Sequence, residues 1–99
     1  MKKQLSGSSV IRAVTDQVSC DVGDEAVILH LKSGEYFGLD AVGARVWNLI
    51  QEPRTVNDIQ DVLLDEYDVE RERCERDLLD LLNKMAEKGL IEVRDEKTR

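Results

Sequence analysis

The sequence predicts an α+β fold of winged helix-turn-helix type, in which a three-stranded antiparallel β-sheet is followed by three α-helices. Three observations carry this. Residues 18–39 hold a period-two apolar pattern broken at Gly23-Asp24-Glu25 and at Lys32-Ser33-Gly34-Glu35. From residue 41 to residue 88 the apolar period changes to that of a helix, with three separate starts. The 99 residues, 41% of them hydrophobic, suffice for one modest core and no second domain.

The polar opening, residues 1–9, contains Ser and Gly that cannot build a core and reads as a mobile tail before a single domain spanning residues 10–93. Val18–Val22 is a weak first strand, Ala26–Leu31 the second and Tyr36–Leu39 the third. Val27, Leu29 and Leu31 share one face, which places His30 on the other, pointing away from the core. Gly34 supplies the positive φ that a short hairpin loop needs.

Asp40 is positioned to cap a first helix from Ala41 to about Gln51, in which Val42, Val46, Leu49 and Ile50 recur at helical spacing, and Pro53 stops it from running on. Thr55 and Asp58 form a capping-box-like start for a second helix that reaches about Tyr67. The third runs from about Glu70 to Lys88 on a stripe of Cys74, Leu78, Leu81, Leu82 and Met85, with Gly89 in the position after the cap. Leu90-Ile91-Glu92-Val93 closes the domain with room for a short strand, and residues 94–99 are a charged, loose tail.

The formal charge is −7, and it is unevenly spread. Residues 52–80 hold 11 acids against 4 bases, while the flanking stretches nearly balance. Such a field repels phosphates, so it opposes nucleic acid and anionic membranes as partners and favours a basic peptide. A winged-helix DNA-binding regulator, the alternative of a different class, fails on the same count: the third helix opens Glu70-Arg71-Glu72-Arg73-Cys74-Glu75-Arg76-Asp77 and has no basic face.

Cys20 and Cys74 stand far apart without a ligand cluster and read as reduced core residues, so no metal is expected. No nucleophile–base pair, phosphate-binding glycine motif or serine beyond Ser33 supports catalysis, nucleotide binding or a carrier arm, so neither an enzyme nor a cofactor is expected. Without a signal peptide or a membrane span, the expected location is the cytoplasm.

What is left is a physical site. If consecutive strands pair, the outer edge of Tyr36–Leu39 keeps unpaired main-chain donors and acceptors beside a long apolar helix, widened by Leu79, and an extended peptide can join there as another strand.

The tract Gly34-Glu35-Tyr36-Phe37-Gly38-Leu39-Asp40-Ala41-Val42-Gly43-Ala44-Arg45-Val46-Trp47 resembles the PqqD-like family, as do Arg54-Thr55-Val56, Tyr67-Asp68-Val69, Cys74-Glu75-Arg76-Asp77-Leu78-Leu79 and Lys88-Gly89-Leu90-Ile91. The similarity runs in order over about residues 15–93. It implies a recognition element for ribosomally synthesised, post-translationally modified peptides, with the leader of the precursor added to the Tyr36–Leu39 edge. The implied contacts are Glu35, Tyr36, Phe37, Gly38 and Leu39 from the strand and Asp77, Leu78 and Leu81 from the third helix. Within the family the chain looks most like the leader-binding protein of lasso-peptide pathways, whose partner is a separate leader peptidase of the transglutaminase-like cysteine protease type. The alternative is a chaperone of pyrroloquinoline-quinone biosynthesis that presents a precursor to a radical SAM enzyme.

Overall fold

A computed structural model describes residues 5–95. Strands β1 (Ser9–Ala13), β2 (Gln17–Val22), β3 (Glu25–His30) and β4 (Tyr36–Leu39) are followed by helix α1 (Ala41–Leu49), the short β5 (Arg54–Thr55), α2 (Val56–Glu66), α3 (Arg71–Glu87) and β6 (Ile91–Asp95). The expected three-stranded antiparallel sheet, in the order β2-β3-β4, and the three helices are all present. The local signals act as their chemistry demands. Asp40 Oδ1 accepts from the Gly43 N–H at 2.8 Å, Thr55 and Asp58 close a reciprocal capping box, and Gly34 and Gly89 take φ of 74° and 75°.

The structure adds a second sheet, β5-β1-β6, which the sequence pattern does not announce. It makes the winged helix-turn-helix likeness a loose one, because β1, ahead of all the helices, pairs antiparallel with β6, behind them. The fold also reaches further toward both ends than expected. Ser9 is the first residue of β1 and is buried, Ser6 and Ser9 close a hydrogen-bonded turn, and the Gly7 carbonyl accepts from the Asn57 N–H at 3.0 Å. Small polar residues thus serve as a clamp on the start of α2 rather than as a tail. Arg94 and Asp95 belong to β6; residues 1–4 and 96–99 of the expected tails lie outside the described residues.

Two expectations about sheet faces are corrected. Ala26 and Ile28, not Val27, Leu29 and Leu31, face the core, and Val27 and Leu31 are exposed. The register decides this: Ala26 pairs with Leu39 and Ile28 with Phe37, so the strand that turns Phe37 and Leu39 inward must turn Ala26 and Ile28 inward with them. His30 shares that parity and is half-buried, its Nδ1 accepting from the Ser33 N–H at 3.3 Å, instead of pointing away from the core. Cys20 lies on the outward face and is exposed, whereas Cys74 is buried as expected. Both are free thiols.

The core lies between the two sheets and the helices. Trp47 of α1, Ile11 of β1, Ile28 of β3, Ile59 of α2 and Leu82 of α3 are among its most enclosed large side chains. Each such burial contributes about 1.5–3 kcal/mol of transfer free energy.

Candidate functional site

In the sheet β2-β3-β4, β4 is a terminal strand, and among the described residues nothing pairs with its outer side. The phase of its hydrogen bonds follows from the loop. His30 N–H donates to the Glu35 carbonyl at 2.9 Å, so Glu35 directs its main chain toward β3. Because successive residues of a strand alternate, Phe37 and Leu39 also point their N–H and C=O toward β3, while Tyr36 and Gly38 present theirs to the open side. The free edge therefore offers two donor–acceptor pairs. Side chains alternate as well: Phe37 and Leu39 are half-buried against the core, and Tyr36 is 71% exposed on the outward face.

Glu35 plays a different part from its neighbours. Its N–H donates to Ser33 Oγ at 3.3 Å and its carbonyl is bonded to His30, so only its exposed side chain is open to a visitor.

The three residues expected from the third helix come together in one groove. Asp77, Leu78 and Leu81 line it with Val42 and Val46 of α1, Leu63 and Tyr67 at the end of α2, Val69 and Cys74. It is open, almost wholly apolar, and holds about 190 Å³. Leu78 is buried in its wall, Leu81 is half-buried, and Asp77, exposed, is its one charged liner, 3.8 Å from Arg73. Leu79 is half-buried against the core instead.

The edge and the groove are joined by the first turn of α1. Leu39 packs against this turn: a Cβ placed on Gly43 would lie 3.3 Å from Leu39 Cβ, and Val42, 43% exposed, opens onto the groove one residue earlier. The sequence pattern counts Val42 in the core stripe of α1. Its exposure, like the use of Leu63, Tyr67 and Val69, depends on how the helices cross and has no local signature.

Electrostatics brace one end. Arg45 on α1 donates from Nε and Nη2 to the Glu66 carboxylate on α2 at 2.9 and 2.7 Å, next to Tyr67. This fork holds the Glu66 carboxyl below its usual range, chiefly through the hydrogen bond, and holds the Arg45 guanidinium above its own. Burial in the groove wall raises the Cys74 thiol, which therefore stays protonated at neutral pH.

Among the described residues no group of three His, Cys, Asp or Glu gathers to hold a metal ion, and no helix is long and apolar enough to cross a membrane. What the arrangement offers is main-chain hydrogen bonding next to an apolar groove, which is the chemistry of binding an extended peptide.

Comparison with known proteins bears on this site. A family model described as coenzyme PQQ synthesis protein D (PqqD) matches residues 25–91. Among curated proteins none matches the sequence. TbiB1, solved in complex with the TbiA(beta) leader peptide, is similar at 46% identity and a TM-score of 0.77, over 82% of this chain and 94% of that one. A lasso peptide synthetase B1 complexed with its leader peptide is 27% identical with a TM-score of 0.73, over 83% of this chain and 96% of that one. The PqqD truncation of Methylobacterium extorquens PqqCD, a stand-alone recognition element for ribosomally synthesised and post-translationally modified peptides, is 28% identical with a TM-score of 0.73, over 89% of this chain and 94% of that one.

Proposed function

Because the chain belongs to the PqqD family, we propose that it is a non-catalytic recognition element, which holds the leader of a ribosomally made precursor by strand addition to the outer side of β4. The observation that carries this reading is the unpaired edge of β4 joined through α1 to an apolar groove. Main-chain bonds at Tyr36 and Gly38 hold the leader in register, and apolar leader side chains filling the groove supply most of the affinity. Each fully buried anchor contributes about 1.5–3 kcal/mol, so two or three offset the cost of ordering the peptide and give a micromolar or tighter complex.

The pathway is lasso-peptide biosynthesis, a reading supported over pyrroloquinoline-quinone biosynthesis by the likeness to two leader-bound B1 proteins, one of them a lasso peptide synthetase B1. The chain works in the cytoplasm and presents the bound precursor to a separate leader peptidase of the transglutaminase-like cysteine protease type. The outward face of the sheet is suited to that second partner, since it exposes Tyr36 on the leader's edge strand and Val27, Val18 and Val22 on the two strands behind it.

Titration of the purified chain with synthetic TbiA(beta) leader peptide, followed by calorimetry and by amide chemical shifts, tests the reading. We expect saturable binding with shifts at Tyr36, Gly38 and the α3 residues 77–81. No binding, or shifts confined to β2, would sink it.

A further inference from the structure

The outer side of β2 is the longer unpaired edge of the sheet β2-β3-β4, and leader binding at β4 makes no use of it. Among the described residues no helix runs beside it, so a further strand can lie against it. The hairpin fixes its phase: Asp16, Val18, Cys20 and Val22 turn their main chain toward β3, and Ser19 and Asp21 present theirs outward. The side chains sort in the same way. Val18 and Val22, 56% and 57% exposed, flank the exposed Cys20 on the outward face of the sheet, and Ser19 and Asp21 lie on the other face. β2 carries no proline, no lysine and no bulge, the usual devices that blunt an edge, and its one charge is Asp21.

This edge is complementary to itself. Antiparallel strands bond outward residue to outward residue, which leaves two-fold registers centred on Ser19, Cys20 or Asp21. Centring on Asp21 sets two carboxylates directly opposite, and centring on Ser19 sets Val22 against Asp16. Centring on Cys20 sets Val18 against Val22 of the second copy, and Ser19 against Asp21, whose carboxylate can accept from the serine hydroxyl. The two Cys20 residues then meet at a non-hydrogen-bonded position, where Cα atoms lie about 4.5 Å apart, within the span of a disulfide. We infer that β2 pairs with β2 of a second copy in this register, joining two three-stranded sheets into one of six strands. Both strands are already ordered, so the pairing escapes the entropy cost that a free peptide meets at an edge. Acids oppose it: Asp16, 3.9 Å from Lys32, falls opposite Asp24, and each copy carries −7, so the dimer is weak and screening favours it. Both β4 edges stay free at the ends of the joined sheet, and the pairing does not depend on what binds there.

Analytical ultracentrifugation of the reduced chain tests the pairing. Its weight-average mass should rise from 11.3 kDa toward twice that value as concentration is raised to about 1 mM, and at a fixed concentration it should rise as salt goes from about 0.05 to 0.5 M. Ser19→Pro should keep its circular dichroism and stay at 11.3 kDa. Oxidation by copper phenanthroline, which takes two electrons and two protons from a pair of facing thiols, reads the register. The wild-type chain should cross-link through Cys20, with Cys74 buried. In a mixture of Val18→Cys and Val22→Cys chains, both in a Cys20→Ser background, unlike chains should cross-link and like chains should not. A mass of 11.3 kDa at every concentration would overturn the pairing, and amide shifts at Ser19 and Asp21 on adding TbiA(beta) leader to that monomer would give the edge to a peptide instead. Association that Ser19→Pro leaves unchanged, or cross-links as fast between like chains as between unlike ones, would overturn the contact through β2.

Discussion

The sheet β2-β3-β4 ends in two open edges, and they are built differently. β2 is the longer, with six residues against four, and it projects beyond the core: five of its six residues are exposed, on both faces. By the alternation that frees Tyr36 and Gly38 on β4, it frees the main chain of Ser19 and Asp21 and the carbonyl of Gln17, whose N–H donates to the Thr15 carbonyl at 2.9 Å, since Leu31 N–H donates to the Asp16 carbonyl. It thus offers more hydrogen-bonding groups than β4. What it lacks is a wall, because among the described residues no helix runs beside it, whereas β4 leads through α1 into the groove of α1, α2 and α3. Backbone bonds exchanged for water contribute only about 0.5–1.5 kcal/mol each, so an edge alone cannot select or hold a peptide. Burial beside the edge does that.

The comparison is most sharply tested by proline. Gly38→Pro removes an N–H that faces the open side and sets the ring where an incoming strand must lie, but a sheet tolerates proline at such a position because no internal bond is lost. We expect the fold to persist by circular dichroism and leader affinity to fall roughly a hundredfold, or about 2.7 kcal/mol, by calorimetry. Unchanged affinity in the folded variant would move the leader away from β4.

Next in size is the groove. Leu81→Ala shortens a half-buried liner whose loss opens space that a leader anchor would otherwise fill, and it spares the fully enclosed Leu78 and Leu82. Affinity should drop about tenfold, with a stability cost of about 1–2 kcal/mol in urea denaturation. Leu81→Asp would be a poor substitute, since a carboxylate in that wall threatens the fold itself. A folded Leu81→Ala that binds normally would separate the groove from the edge.

How far the site is legible in the sequence depends on whether the signal is local. Asp40, Thr55 with Asp58, Gly34 and Gly89 each act within a few residues of themselves, and the structure uses all of them as the sequence implies. The β3–β4 hairpin and its free edge follow from a period-two pattern and a loop. Parity does not: both faces of β3 are apolar, and only its register with Phe37 and Leu39 shows that Ala26 and Ile28 face inward. The second sheet is hidden for a related reason. Val10 pairs with Thr55 and Ile11 with Val93, partners some 40 to 80 residues away, and β1 is buried on both faces so that it shows little alternation. In the groove, Asp77, Leu78 and Leu81 are named by the resemblance to the PqqD-like family, and of the three only Leu78 and Leu81 also lie on the apolar stripe of the third helix. Val42, Tyr67 and Val69 join them only through helix crossing.

Salt bears on a smaller effect. The helical half holds the excess of acids, and Asp77 stands at the groove with only a loose partner in Arg73. Much of that charge is exposed and screened beyond a Debye length of about 8 Å at physiological ionic strength. Raising salt from about 0.05 to 0.5 M should weaken binding of a basic leader by only about three- to fivefold, chiefly through the association rate in stopped-flow traces. A salt-independent rate would remove steering and leave the apolar anchors as the whole of the affinity.

The smallest effect belongs to the unwalled edge and is the control that gives the others meaning. Ser19→Pro on β2 removes an outward N–H just as Gly38→Pro does on β4, from a residue whose main chain makes no bond to β3 and whose side chain is exposed. If a leader needed only free donors and acceptors, β2 would compete for it, and Ser19→Pro would lower the measured stoichiometry or affinity. If burial beside the edge selects the strand, affinity should stay within about twofold of wild type, inside the scatter of a surface substitution. A loss comparable to that of Gly38→Pro would show that the leader reads hydrogen-bonding length and not the groove, which would reassign the site to β2.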